Sequence, residues 1–243
     1  MIITSKSNPT IKEIIKLNEK KYRSETGLYL VEGIKPVNEC IAAGGKVEMI
    51  VCTERLSENY CNPIVVSEDV FGAISSEKTP QGVIAVVKMP QNILNSPKKS
   101  CILLDRLQDP GNLGTIIRTA NAAGYKEIYL IKCADPYSPK AVRASMSGIF
   151  FVEIYRGSEE EILKALIGVP LISADMYGEN IFGFEAPSKF CLCIGNEGSG
   201  LSDVIKNKSD YKVKIPMSET CESLNAAVSA GIAMYVLKEC NFK

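Results

Sequence analysis

The chain reads as an α/β protein built on a mostly parallel sheet, and three observations predict it. From about residue 100 onward, short apolar runs alternate with stretches of helical periodicity, the rhythm of a sheet covered by helices on both faces. The hydrophobic share of 46% over 243 residues is enough for a sizeable buried core. The stretch 89–99, with its prolines and polar filler, has little to build a core from and divides a smaller module from the larger one. The expected division is therefore a domain at 1–88, a linker at 89–99 and a second domain at 100–243.

The elements follow in chain order. Asn8 to Arg23 places Ile11, Ile14, Ile15 and Leu17 at near-helical spacing behind Asn8-Pro9, a plausible helix start. Over residues 1–25, Lys6, Lys12, Lys16, Lys20, Lys21 and Arg23 outnumber Glu13, Glu19 and Glu25, six against three. This basic amphipathic helix reads first as a solvated face. Strands are expected at Leu28 to Val31, Val47 to Cys52, Ile64 to Val66 and Val83 to Val87, with helices near Pro36 to Ala43 and Glu68 to Ile74. That is a small α/β module.

Beyond the linker the strands are Cys101 to Asp105, Glu127 to Ile131, Val152 to Tyr155, Leu171 to Ala174, Phe190 to Ile194 and Val213 to Ile215. The helices between and after them are Asn112 to Ala123, Ala141 to Ser145, Glu159 to Leu166 and Leu224 to Cys240. Sheets of this kind bind ligands at the carboxyl ends of their strands.

Composition removes several classes of chemistry. Without any histidine the chain lacks the usual general base, the Ser-His-Asp and Cys-His arrangements and most catalytic zinc or iron sites. The 28 basic and 28 acidic residues balance, so any affinity for nucleic acid must come from local patches. The nine cysteines are odd in number and lie mostly in apolar runs, as do Cys101, Cys133, Cys191 and Cys193, which suits buried free thiols. No metal is expected. The opening residues lack a basic start with a long apolar run behind it, and about 18 uninterrupted apolar residues occur nowhere, so a cytoplasmic location and no membrane contact are expected.

Three segments do not read as packing. Asp109-Pro-Gly-Asn-Leu-Gly-Thr-Ile-Ile-Arg-Thr-Ala120, Ile194-Gly-Asn-Glu-Gly-Ser-Gly-Leu201 and Lys214-Ile-Pro-Met followed by Ser223-Leu-Asn-Ala-Ala227 each bring glycine or polar side chains to the start of a helix just after a strand. The glycine order of the second is G-x-x-G-x-G, not the dinucleotide fingerprint, and no P-loop is present. That loop offers closely approachable backbone amides and one carboxylate, Glu197. Asn112 and Arg118 lie near the amino end of one helix on different bearings.

In that order, Asn-Leu-Gly-Thr-Ile-Ile-Arg-Thr-Ala, Ile-Gly-Asn-Glu-Gly-Ser-Gly-Leu and Ile-Pro-Met with Ser-Leu-Asn-Ala-Ala closely resemble the three motifs of the SpoU (TrmH-type) RNA 2′-O-ribose methyltransferases. The resemblance covers about residues 100 to 240. Around Tyr29-Leu-Val-Glu-Gly33 a weaker one links the first module to this family's RNA-binding domain, which is related to a ribosomal-protein (L30e-like) fold. It implies a SPOUT architecture, an α/β sheet whose carboxyl-terminal segment forms a deep trefoil knot around the pocket for S-adenosylmethionine (SAM). It also implies a homodimer. Carried over by position, Gly195, Ile215 and Leu224 hold the cofactor, while Asn112, Arg118, Glu197, Ser223 and Asn225 form the polar active site, with Arg118 closest to the reacting ribose. Glu222, just before Ser223, either lines the pocket or faces solvent.

The resemblance implies methylation of a ribose 2′-hydroxyl, with ribosomal RNA first among substrates and transfer RNA second. A non-catalytic RNA-binding factor in ribosome assembly is the alternative of another class, against which the complete polar set argues. A nicotinamide-dependent oxidoreductase is disfavoured by the glycine order and by the lack of the strand-end acidic residue such sites use.

Overall fold

A computed structural model describes residues 2–238. They fall into two compact units, one of residues 2–91 with 135–150 and one of residues 92–134 with 151–238.

The first unit starts with β1 (Ile2–Ile3), α1 (Pro9–Lys16), α2 (Lys20–Thr26), β2 (Leu28–Glu32), α3 (Ile34–Ala42), β3 (Val47–Thr53), β4 (Ile64–Val66), α4 (Glu68–Ile74) and β5 (Val83–Lys88). Its sheet runs β1-β4-β3-β5-β2, with β5 antiparallel to both of its neighbours. Ile11, Ile14 and Leu17 of the expected long helix are buried together with Phe71, Ile74 and Ile84. That helix is two helices instead of one. Arg23 Nη1 donates to the carbonyls of Leu17 and Asn18, both at 2.8 Å, and these accept the side chain where a continuous helix would need backbone donors.

The second unit carries β6 (Cys101–Asp105), α5 (Pro110–Ala122) and β7 (Glu127–Ile131). The chain then supplies α6 (Pro139–Ala144) to the first unit before β8 (Glu153–Gly157), α7 (Glu159–Ala165), β9 (Leu171–Asn180), β10 (Cys191–Ile194), α8 (Asp203–Lys208), β11 (Tyr211–Lys214) and α9 (Ala226–Leu237) complete the second. All five strand pairings are parallel, in the order β11-β9-β10-β6-β7-β8. The central strands β6, β7 and β10 are buried throughout, which is why they read as nearly continuous apolar runs. The chain winds outward from β6 through β7 to β8 and then returns, through β9, to lay β10 on the other side of β6. The crevice between β6 and β10 is therefore the switch point where α/β sheets bind ligands.

Two segments sit differently from the sequence reading. Residues 92–99, read as linker, are fastened to the second unit: Tyr129 Oη donates to the Asn95 carbonyl at 2.8 Å, the Glu127 carboxylate accepts the Lys98 amide at 2.9 Å, and Leu94 packs on the core. Residues 135–150, placed by sequence in the second domain, belong to the first unit. There Arg23 Nη2 and Nε meet Asp135 Oδ2 at 2.7 and 2.9 Å, with side-chain exposures of only 3% and 6%, and the Tyr29 and Tyr137 rings lie 4.9 Å apart. Removing one partner strands the other as a buried charge, so Asp135→Ala is expected to cost about 3–5 kcal/mol of stability in urea unfolding. A loss under about 1 kcal/mol would mean that the pair is solvated.

α9 starts at Ala226 instead of Leu224, because Asn225 is its N-cap; the expected end at Cys240 lies outside the described residues. The cysteine reading needs one adjustment. Cys40, Cys52, Cys101, Cys191 and Cys193 are buried, but Cys133 is only partly so and donates to the Leu104 carbonyl at 3.2 Å. Burial still pushes its thiol up to about 12, which leaves it a poor nucleophile. Among the described residues no helix is long and apolar enough to cross a membrane.

Candidate active site

The three motifs meet at the carboxyl edge of the second unit's sheet. Asp109 caps α5, its Oδ1 accepting the Asn112 amide at 2.8 Å, and Pro110 occupies the first helical position, where no amide hydrogen is needed. This presents the Asn112 side chain to two partners from distant segments. Asn112 Nδ2 donates to Glu197 Oε1 at 2.9 Å, and Asn112 Oδ1 accepts from Asn225 Nδ2 at 3.0 Å. Asn225 is itself fixed, since its Oδ1 accepts the amides of Ala227 and Val228 at the start of α9. The chain Asn225 to Asn112 to Glu197 thus runs from donor to acceptor in one direction, which sets both amide orientations.

Asn196, which the sequence reading passed over, shapes the loop. Its Oδ1 accepts the amides of Gly198 and Ser199 at 2.9 and 3.1 Å, its backbone pairs with Gly200, and its Nδ2 donates to the Arg106 carbonyl at 2.9 Å and to Glu197 Oε2 at 3.3 Å. An asparagine beside glycines was a readable turn signal, one the carboxylate next to it overshadowed. Gly195 is required by space alone. A Cβ there would lie 2.2 Å from the Gly200 carbonyl carbon and 2.3 Å from the Leu201 amide nitrogen.

A cavity of about 200 Å³ opens against this loop. Gly195, Ile215 and Leu224, the three residues expected to hold a cofactor, all line it, as do Glu197 and Ser223. Glu222 lies on its wall and is exposed, so both sequence alternatives hold at once. Asp175 and Met176 complete one side, carried there by an irregularity that no sequence pattern announced. β11 pairs with β9 at Ile172 and Ser173 and again at Glu179 and Asn180, and the residues between are looped out. Gly178 closes that loop, since a Cβ there would lie 2.5 Å from the Lys212 and Val213 backbone.

Arg118 stands apart from this network. It lies on the exposed face of α5 and makes no hydrogen bond or ion pair among the described residues. An exposed guanidinium without a partner is available to a ligand. Among the described residues no three His, Cys, Asp or Glu side chains are placed to hold a metal ion.

A glycine loop, apolar walls and an oriented carboxylate at the carboxyl edge of a parallel sheet make this a candidate site on a fold of the SPOUT class. Residues 99–235 match the SpoU rRNA methylase family and residues 8–85 match the MRM3-like substrate binding domain. The chain belongs to the SpoU rRNA methylase family. It is 34% identical over 249 residues to the 23S rRNA (guanosine(2553)-2′-O)-methyltransferase RlmP of Bacillus subtilis, covering 97% of this chain and 98% of that one. It is 31% identical to the 23S rRNA (uridine(2479)-2′-O)-methyltransferase of Streptomyces viridochromogenes, with 90% and 85% covered. The AdoMet-bound rRNA methyltransferase of Sinorhizobium meliloti superposes with a TM-score of 0.91 at 30% identity, over 100% of this chain and 99% of that one.

Proposed function

We infer that this chain is a SAM-dependent methyltransferase acting on the ribose 2′-hydroxyl of ribosomal RNA. The observation that carries the reading is the joining of Asn112, Glu197 and Asn225, which come from the three family motifs, against one cavity lined by Gly195, Ile215 and Leu224. The direct test is calorimetric titration with SAM together with methyl transfer to unmodified ribosomal RNA. One SAM bound per chain with transfer supports it, and neither binding nor transfer contradicts it.

The residues present suit the cofactor. The missing side chain of Gly195 lets the Gly200 and Leu201 backbone close against it, so the loop turns main chain toward the cavity, and Ile215 and Leu224 offer apolar walls for a purine. Bound SAM supplies a methyl carbon already made electrophilic by its sulfonium, so the protein's task is alignment and proton removal. Asn225 and Asn112 are positioning residues that aim the Glu197 carboxylate. The chain has no histidine to take the proton of the attacking hydroxyl, and among the cavity carboxylates Glu197 is the one held by an asparagine of another family motif, which makes it the acceptor assigned here. Arg118, a planar cationic fork, orients the RNA and stabilises the forming alkoxide; it is not the base. Ser223 lines the same cavity.

Around this centre the reading extends to the rest of the molecule. The first unit serves as the RNA-binding module, the threaded carboxyl-terminal segment forms a trefoil knot, and the enzyme works in the cytoplasm as a homodimer. The dimer is supported by α9, which buries Ala227, Ala230, Ala233 and Met234 on one side while leaving Val228 51% and Tyr235 46% exposed on the other.

Glu222 gives a separate prediction. Its carboxylate faces the same cavity as Asp175 and Glu197, opposed among the lining residues by Lys214, so the wall favours a cationic ligand. SAM loses its sulfonium charge on transfer. Glu222→Gln is expected to weaken SAM about threefold to fivefold while leaving the affinity for S-adenosylhomocysteine within about twofold, the size of one screened charge contact. Equal loss for both ligands in calorimetry would remove the electrostatic role.

A further inference from the structure

We propose that Arg106 and Lys132 form a binding site for a phosphate group of the RNA substrate, at the rim of the cofactor cavity. The proposal rests on the RNA reading above. Arg106 and Lys132 directly follow β6 and β7, two neighbouring parallel strands, so both stand at the carboxyl edge where the motifs gather. Each has left-handed backbone, with φ of 58° and 50°. Glycine occupies that region freely and longer side chains uncommonly, so two long cations at adjacent positions of this kind are a feature to be explained.

The surrounding contacts hold both in place. Gln108 Nε2 donates to the Arg106 and Lys132 carbonyls at 3.0 and 2.9 Å, tying the two turns together. Asn196 Nδ2 donates to the same Arg106 carbonyl at 2.9 Å, and Asn196 also lines the cofactor cavity. The position of Arg106 is thus set by the loop that shapes the active site.

Beneath the cations lie two carboxylates. Asp105 is fully buried; its Oδ2 accepts the Ser202 amide at 2.6 Å, while its Oδ1 has no hydrogen-bond partner and faces the equally unpartnered Arg106 Nε at 3.4 Å. Glu159 accepts from Ser202 Oγ at 3.2 Å and stands 3.7 Å from Lys132 Nζ. The side-chain exposures are 0% and 27% for the carboxylates against 37% and 69% for the cations. The charges are therefore layered, negative inside and positive outside. The buried carboxylate keeps Arg106 Nε inward, so the exposed part of the side chain is its terminal fork, the shape that grips a phosphate through two hydrogen bonds. Every internal ribose of an RNA chain is flanked by phosphates. A ribose presented to the cavity that Asn196 lines brings one of them to this rim.

The test is binding of unmodified ribosomal RNA, transcribed in vitro, as a function of salt, by wild type, Lys132→Gln and Arg106→Gly. Glycine suits the left-handed backbone, so the second variant removes the guanidinium without adding strain. Each is expected to weaken RNA binding about fivefold to tenfold and to lower the slope of log K against log salt by about 0.7 to 0.9, the loss of one phosphate contact. SAM affinity stays within about twofold of wild type, showing an intact cavity. Unchanged RNA affinity and slope in both variants would overturn the site, as would SAM affinity falling in step with RNA affinity, which means a structural role. A wild type that binds no ribosomal RNA would overturn the RNA reading and this site with it, whereas a binding wild type with unaffected variants overturns the site alone.

Discussion

Arg118→Ala is expected to lower methyl transfer by about a hundredfold to a thousandfold while changing SAM affinity by less than about twofold, the loss that follows removal of one group stabilising developing negative charge. The separation of the two effects comes from where the residue sits. Arg118 is on the exposed face of α5, does not line the cavity and has no partner among the described residues whose loss would disturb the fold. Arg118→Lys keeps the charge but not the planar fork and is expected to recover less than about a tenth of wild-type turnover. Wild-type turnover in the lysine variant would remove any specific role of the guanidinium. A parallel loss of SAM affinity in the alanine variant would move Arg118 from chemistry to cofactor binding.

Gly195→Ala has the largest expected effect on the cofactor. The added methyl group would lie 2.2 and 2.3 Å from backbone atoms of Gly200 and Leu201, and neither can rotate away as a side chain would. The loop must open. Asn196 and Glu197 are next in the chain, so opening also disturbs the bonds to Arg106 and Asn112. SAM affinity in calorimetry is expected to fall at least about a hundredfold, roughly 3 kcal/mol. Because α5 and α9 keep their own caps at Asp109 and Asn225, the far-ultraviolet circular dichroism spectrum is expected to remain that of wild type. SAM binding within about threefold of wild type would show that the loop is not closed around the cofactor.

How much of this was legible beforehand depended on distance along the chain. β6, β7 and α4 begin and end at the residues read from the sequence, since a buried strand is a bounded apolar run and Ser67 before Glu68-Asp69 is a local cap signal. α5 begins two residues earlier than read, although Asp109-Pro110 carried the cap and first-turn signals. α8 was missed because it is short and polar, with Ile205 its buried residue. The interruption between α1 and α2 depends on Arg23 reaching back to two carbonyls, and the looped-out part of β9 on pairing with a strand about thirty residues on; neither leaves a periodic trace.

The site divides in the same way. That three segments follow strands and begin helices was readable, and so was the chemistry of a glycine loop with one carboxylate. That Asn112 bonds both Asn225, 113 positions away, and Glu197, 85 away, was not, because spacing says nothing about which loops meet. The roles given to Arg118 and Ser223 came from motif resemblance, and the geometry adds partners for Asn112, Glu197 and Asn225 but places none on Arg118. The left-handed turns at Arg106 and Lys132 were invisible, since glycine is the residue from which such turns are read.

The central claim, transfer to a ribose oxygen, is tested most directly by the fate of a labelled methyl group. Unmodified ribosomal RNA is incubated with labelled SAM and wild type or Arg118→Ala, then hydrolysed in alkali and separated. A 2′-O-methyl removes the nucleophile that alkaline cleavage needs, so the account predicts label in alkali-resistant dinucleotides, present with wild type and lost with Arg118→Ala. Label released in mononucleotides would place the methyl on a base and contradict it.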